Sequence, residues 1–170
     1  MNKKIEKKSI WITGASRGIG YALARKFLNE DVDLILSSSK KENLIKLSSD
    51  FRDNKNVYII PCDISSKEDI EKAVSKINNT INKVDILINN AGVAKFTPFL
   101  DSTIEDFDLM SNVNFRGNYL CTKAVLPQMI QNNFGIIVNI ITWAAFTTFL
   151  NSSIYSASKS AVISMAKVLR

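Results

Sequence analysis

The sequence predicts an α/β domain built on a parallel sheet with helices on both faces. Short, continuously apolar runs recur along the chain, and longer amphipathic stretches separate them. A strand buried on both faces reads as an unbroken apolar run, because neither face meets water. No proline-rich linker, internal repeat or low-complexity block divides the pattern. The 170 residues therefore form one domain, 1–170, large enough for a hydrophobic core.

The elements follow in order. Residues 9–13 hold Ile10-Trp11-Ile12 and form the first strand, and 18–29 form an amphipathic helix opening on glycines. A second strand over 33–37 contains Leu34-Ile35-Leu36, with a helix over 41–51 behind it. Residues 56–60 and a helix within 67–80 repeat the unit. The fourth strand spans 84–88, and a long helical region over 103–129 contains a break. The fifth strand covers 136–141, and a last helix starts near Ser153. The crossovers between parallel strands are expected to be right-handed.

Composition narrows the function. The net charge of +6 comes from 22 basic and 16 acidic residues, with Lys3, Lys4, Lys7 and Lys8 crowding the start. That cluster reads as a basic tail over 1–8, not as a nucleic-acid site. No run reaches the roughly 18 apolar residues that cross a bilayer, and the lysine-rich start lacks a signal-peptide core. Cys62 and Cys121 have no metal-ligand or CxxC spacing, which fits a reducing, cytoplasmic compartment. Histidine is absent, so a His-based triad and a His-ligated metal are excluded, and no metal is expected.

The first strand leads into Gly14-x-x-x-Gly18-x-Gly20 at a helix start. Glycine permits the tight strand-to-helix turn and lets the backbone approach a pyrophosphate closely. The helix N-terminus then offers free N–H groups and a positive dipole end to phosphates. The second strand ends in Ser37-Ser38-Ser39-Lys40-Lys41, without the acidic residue that would accept from a ribose 2′-hydroxyl. With Arg17 in the loop, this favours NADP(H) over NAD(H).

Five motifs stand in order along the chain: Thr13-Gly14-Ala15-Ser16-Arg17-Gly18-Ile19-Gly20, Cys62-Asp63-Ile64, Asn89-Asn90-Ala91-Gly92, Val113-Asn114 and Tyr155-Ser156-Ala157-Ser158-Lys159. On these residues the chain resembles the short-chain dehydrogenase/reductase family. The resemblance implies a Rossmann-like doubly wound sheet of strand order 3-2-1-4-5 for the part present, with the last strands missing. It implies cofactor contacts from Gly14, Ser16, Arg17, Gly18, Ile19 and Gly20, and from Ser38 and Ser39. It further puts Asp63 and Ile64 near the adenine, and has Asn90, Ala91 and Gly92 line the cleft.

Tyr155 and Lys159 are spaced i, i+4, which puts an ammonium and a phenol on one helical face. A free tyrosine, with a pKa of about 10, is a poor base at neutral pH, and a nearby cation favours the phenolate. Tyr155 is expected to be the general acid/base for a carbonyl or secondary alcohol facing the nicotinamide. By resemblance, Lys159 also holds the nicotinamide ribose and Asn114 supports a water-linked proton path. Thr142 stands where the family has a serine, in Asn139-Ile140-Ile141-Thr142. Its hydroxyl can donate to a carbonyl oxygen, while its methyl restricts χ1.

Trp143, Phe146, Phe149 and Leu150 after the fifth strand form an apolar wall suited to acyl or other hydrophobic carbonyl substrates. The glycine loop and the Tyr-Ser-Ala-Ser-Lys segment are similar to those of 3-oxoacyl-carrier-protein reductases. The resemblance also implies a homodimer or homotetramer packed through the final helix. It further implies a sixth strand, a substrate-covering segment and a seventh strand, which have no counterpart here. The alternative to an NADP(H)-dependent reductase is an inactive dinucleotide-binding fragment or an interaction subunit.

Overall fold

In the computed structural model the described residues are 7–169. Five parallel strands lie in the order β3-β2-β1-β4-β5. The strands are β1 (Lys8–Thr13), β2 (Val32–Ser37), β3 (Val57–Ile59), β4 (Ile86–Asn89) and β5 (Ile136–Asn139). The helices are α1 (Gly18–Phe27), α2 (Lys41–Asp50), α3 (Lys67–Thr80), α4 (Ile104–Met110), α5 (Gly117–Gln131) and α6 (Ser153–Val168). This is the doubly wound, Rossmann-like α/β fold that the sequence predicts.

Side chains of successive strand residues point to opposite faces. Trp11, Ile35 and Leu87 therefore meet Ile70 and Ile77 of α3 and Cys121, Val125 and Met129 of α5 on one face. Ile10, Ile12, Leu34, Leu36 and Ile88 meet Ala24 of α1, Leu47 of α2 and Phe51 on the other. Trp11 is fully buried and donates its indole N–H to Ser37 Oγ at 2.9 Å, so its one polar atom is satisfied across β1 and β2. β5 is an edge strand, with Ile136 and Val138 exposed. Beside it, a groove of about 890 Å³ runs between α5, β5 and α6, lined by Met129, Ile137, Val162 and Ala166 among others.

The structure corrects the expected long helical region. No break separates α4 from α5; Ser111–Arg116 instead form a π-helical segment between them. The wider turn carries the chain on without a loop. α5 continues through Pro127, which has no N–H to donate along the helix. α1 ends at Phe27, short of the expected Asn29, because Asn29 and Glu30 donate to Lys26 and Phe27 carbonyls in tighter turns. β5 ends at Asn139 instead of residue 141, since the Ile140 carbonyl turns to a lysine of α6.

The basic tail over 1–8 is also corrected at its inner end; residues 1–6 lie outside the described residues. Lys8 opens β1, with its ammonium 3.9 Å from the Phe134 ring centroid. Lys7 pairs with Asp33 at 2.6 Å.

Behind that strand start, buried Asp85 organises the amino-terminal edge of the sheet. It accepts from Ser9 N at 2.9 Å and Ser9 Oγ at 3.2 Å, and the Lys8 and Lys83 ammoniums lie at 3.7 and 3.6 Å. Asp85→Ala strands a buried N–H and removes the charge partner of two lysines. The expected loss is on the order of 1–3 kcal/mol, read as a lower urea midpoint at unchanged slope. An unchanged midpoint would mean that Ser9 finds another acceptor.

Candidate active site

The carboxyl ends of β1 and β4 are tied together by side-chain bonds. Thr13 Oγ1 accepts from the Asn90 and Ala91 N–H groups, both at 3.1 Å. Asn90 Nδ2 returns two bonds of 2.9 Å to the Thr13 and Gly14 carbonyls. Gly14 adopts φ +63°, and a Cβ there would lie 2.7 Å from Ala91 Cα, so conformation and space both require glycine. At Gly20 a Cβ would meet Asn90 Nδ2 at 2.4 Å.

The space above α1 differs in character. Gly18 has φ +56°, yet a Cβ would find nothing within 4 Å. α1 has no side-chain cap, and Arg17 and Ile19 are exposed beside its start. Uncapped first-turn N–H groups facing open space fit a phosphate-bearing cofactor. Ser16 and Ser38 are buried and share a hydrogen bond of 3.4 Å between hydroxyls, while Ser39 is exposed. Cys62 N donates to Ser38 O at 3.2 Å, which joins the two loops at this end of the cleft.

Asp63 is half-buried in the following turn, and its Oδ1 accepts from Ser65 N and Ser65 Oγ at 2.9 and 2.7 Å. The Ile64 side chain lies in the core, pressed on Gly117, so only its backbone can serve a ligand.

At the other end of the cleft, α6 carries Tyr155 and Lys159. Lys159 is buried, donates to Ile140 O at 3.0 Å and lies 3.2 Å from where a Gly92 Cβ would stand. Asn114 Oδ1 lies at the same 3.2 Å from that point, so Gly92 is the small residue that lets the two side chains converge. Asn114 sits fully buried in the π-helical segment. Its amide accepts from Val93 N and donates to Val93 O, each at 2.8 Å, and it donates again to Ser158 Oγ at 3.0 Å. Ser158 in turn donates to Tyr155 O at 2.7 Å. Asn114 thus fixes the loop after β4 to the turn of α6 that bears Tyr155.

Thr142 is half-buried at the start of a short 3₁₀ turn, Trp143–Ala145, with its Oγ1 accepting from Ala144 N at 3.3 Å. That bond leaves its hydroxyl proton free to donate. The described hydrogen bonds do not join Thr142 or Lys159 to the Tyr155 hydroxyl.

Sequence reasoning missed Ser158 and Thr13 as site residues. Ser158 and Thr13 lay inside recognised motifs, but their roles depend on partners 44 and 77 residues away. Phe96 packs edge-on against Tyr155, with centroids 5.7 Å apart and planes at 73°, and against Phe149 at 5.6 Å. Nothing in the local pattern announces that stack.

The model of the short chain dehydrogenase family matches residues 8–170. The chain belongs to the short-chain dehydrogenase/reductase family. An uncharacterised oxidoreductase of Staphylococcus saprophyticus is 31% identical over 168 residues, covering 98% of this chain and 72% of that protein. A short-chain dehydrogenase from Streptomyces avermitilis superposes with a TM-score of 0.90 at 27% identity, covering 96% of this chain and 60% of that one. The closed form of a serine dehydrogenase complexed with NADP+ gives 0.89 at 30% identity, covering 95% and 65%. The chain thus spans about two thirds of the length of these relatives.

For this family member, burial of Lys159 has a measurable consequence. Desolvation holds its pKa below the usual 10.5, which disfavours the folded ammonium. Below pH 10.5 there is a window where the unfolded chain keeps this proton and the folded chain has released it. Stability attributable to Lys159 rises with pH in that window. Lys159→Met removes the linkage, so the wild type gains on the variant between pH 8 and pH 10 in urea titrations. A constant difference between the two proteins would contradict a depressed pKa.

Proposed function

We propose that this chain carries the cofactor cradle and proton-transfer group of an NADP(H)-dependent oxidoreductase that interconverts a carbonyl and a secondary alcohol. One observation carries the reading. The helix bearing Tyr155 and Lys159 is anchored through Lys159 to the loop after β5, and through Ser158 and Asn114 to the loop after β4, at the carboxyl edge where open α/β sheets bind ligands. The cradle at Gly14, Gly18 and Gly20 supports a dinucleotide, with Asn90, Ala91 and Gly92 along the cleft. The buried hydroxyls of Ser16 and Ser38, exposed Ser39 and the exposed Arg17 favour a 2′-phosphate. The NADP+ complex of the 30% identical serine dehydrogenase supports the same choice. The chain's domain, 1–170, functions as one nucleotide-binding unit.

Each residue has its role. Tyr155 gives its phenolic proton to the carbonyl oxygen during reduction and takes one back during oxidation. The bound nicotinamide supplies or accepts the hydride. Lys159, dry and held by the Ile140 carbonyl, keeps a positive charge beside the cleft and can reach the nicotinamide ribose. Thr142 donates its free hydroxyl proton to the same carbonyl oxygen. Asn114 is a positioning residue, since its amide is already engaged by Val93 and Ser158; its place supports a water-linked proton path from Lys159.

The rings of Phe96 and Phe149 are largely exposed where Phe96 packs on Tyr155, and Trp143 is exposed in the turn after β5, which favours a hydrophobic or acyl-type carbonyl substrate. Lys95 is matched by Asp106 at 2.7 Å. The two free, buried cysteines fit a cytoplasmic setting. Exposed Phe115 and Tyr119 beside and on α5 fit a homodimer or homotetramer. A second reading is a dinucleotide-binding fragment or interaction subunit without turnover.

Tyr155→Phe tests the proposal most directly. It should lower NADPH-dependent ketone reduction by about 10²–10⁴-fold, with NADPH affinity by fluorescence titration unchanged. Turnover equal to wild type would end the assignment of Tyr155, whereas NADPH binding without turnover in the wild type would favour the second reading. Cofactor choice is separable, since NADPH should bind at least about tenfold tighter than NADH, the share of one charge-assisted hydrogen bond to the 2′-phosphate. Phe96→Ala should raise KM for an aryl ketone several-fold and leave KM for acetone near wild type, the behaviour of an apolar contact made only by the larger substrate.

A further inference from the structure

Arg116 is the last residue of the π-helical segment, and the proton-transfer chemistry gives it no role. It is exposed, and its Nη1 donates to the Ser65 carbonyl at 2.7 Å. The next residue, Gly117, touches the same turn, since a Cβ there would lie 2.8 Å from the Ile64 carbonyl oxygen. Two consecutive residues therefore hold the turn after β3 against the start of α5.

What they hold is the orientation of Asp63. Ser65 N and Ser65 Oγ both donate to Oδ1 of its carboxylate, and Ser66 N donates to its carbonyl at 3.1 Å. The other oxygen, Oδ2, accepts from no donor among the described hydrogen bonds. Moving Ser65 would turn the whole carboxylate, because both bonds that fix Oδ1 come from that residue. Arg116 is the side chain that holds Ser65, through its carbonyl.

We propose that Arg116 is a positioning residue for purine recognition: by fixing Ser65, it aims Asp63 Oδ2 at the exocyclic amino group of the adenine. The inference rests on the reading of the cleft as an NADP(H) site. It adds a mechanical link within that site. The segment that anchors Asn114 at the proton-transfer end fixes Asp63 at the adenine end through Arg116. An amino group donates to a carboxylate, whereas the oxo group of hypoxanthine only accepts, so Oδ2 should tell the two bases apart.

The test compares NADPH with its hypoxanthine analogue, both followed by fluorescence of the reduced nicotinamide on binding to the full chain. The wild type should bind NADPH about tenfold tighter, as one hydrogen bond to a charged group allows. Arg116→Ala should remove most of that preference by weakening NADPH and leaving the analogue unchanged. Arg116→Lys, which can still donate to the Ser65 carbonyl, should restore it. Equal weakening of both ligands in Arg116→Ala would overturn the proposal in favour of a simple charge effect on the phosphates. A wild type that binds both ligands equally would overturn it as well, with the dinucleotide reading intact. A wild type that binds neither would overturn that reading and this proposal together. Thermal midpoints of the variants within about 2 °C of wild type would confirm that an exposed contact has been removed and not the fold.

Discussion

The cleft exists because Thr13 and Asn90 clasp the carboxyl ends of β1 and β4. These strands are neighbours in the sheet, but the chain leaves them in opposite directions, β1 towards β2 and β4 towards β5. Loops that diverge at such a point open a crevice, and its two walls would drift without a link. Here the threonine hydroxyl accepts from two backbone N–H groups, and the asparagine amide donates back to two carbonyls. Four polar groups that a loop would expose to solvent are thereby satisfied inside the protein. Gly14 and Gly20 follow from this clasp, because the space a Cβ needs is taken by Ala91 and by Asn90 itself. The glycines of the loop answer to the clasp as much as to any phosphate.

A second constraint runs across the cleft. Asn114 is buried at the centre of a six-residue π-helical segment, and both ends of its amide bond to Val93. A regular helix would advance the following residues by a different angle and move Asn114, Arg116 and Gly117 relative to one another. The wider turn lets one segment meet three places: the loop after β4, the turn after β3 and the Ser158 hydroxyl on α6. Regular α-helical geometry gives way to the wider turn where these contacts are made.

These constraints explain what could be read from the sequence. The strands were legible because burial on both faces leaves them apolar without interruption, and the stretch holding α3 was legible as an amphipathic run between two such strands, though its start is set by the Ser66 cap. Gly14, Gly20, Asn90 and Lys159 were legible because their spacing within short motifs fixes them. The π-helical segment was not, since a change from i+4 to i+5 bonding leaves the residue pattern almost unaltered. Arg116 and Ser158 were hidden for a different reason. Each makes one polar contact to a residue more than 40 positions away, and neither hydropathy nor spacing carries that information. Lys7 and Lys8 misled as a solvated tail because their partners, Asp33, Asp85 and the Phe134 ring, are also far along the chain.

Lys159 ties the two constraints to chemistry. Its ammonium is buried with a carbonyl partner, and no carboxylate pairs with it among the described ion pairs, so the field it casts is not cancelled locally. A cation in such a place is expensive in isolation, and its depressed pKa is the direct sign of that cost. The arrangement becomes favourable when negative charge develops nearby, because the same desolvation that penalises the lone ammonium strengthens its attraction for an anion. On the proposed reading, that anion is the Tyr155 phenolate formed as the proton moves. The positive charge is thus placed where it stabilises the reacting state more than the resting one. An aspartate beside Lys159 would cancel that field and leave the proton transfer less favoured.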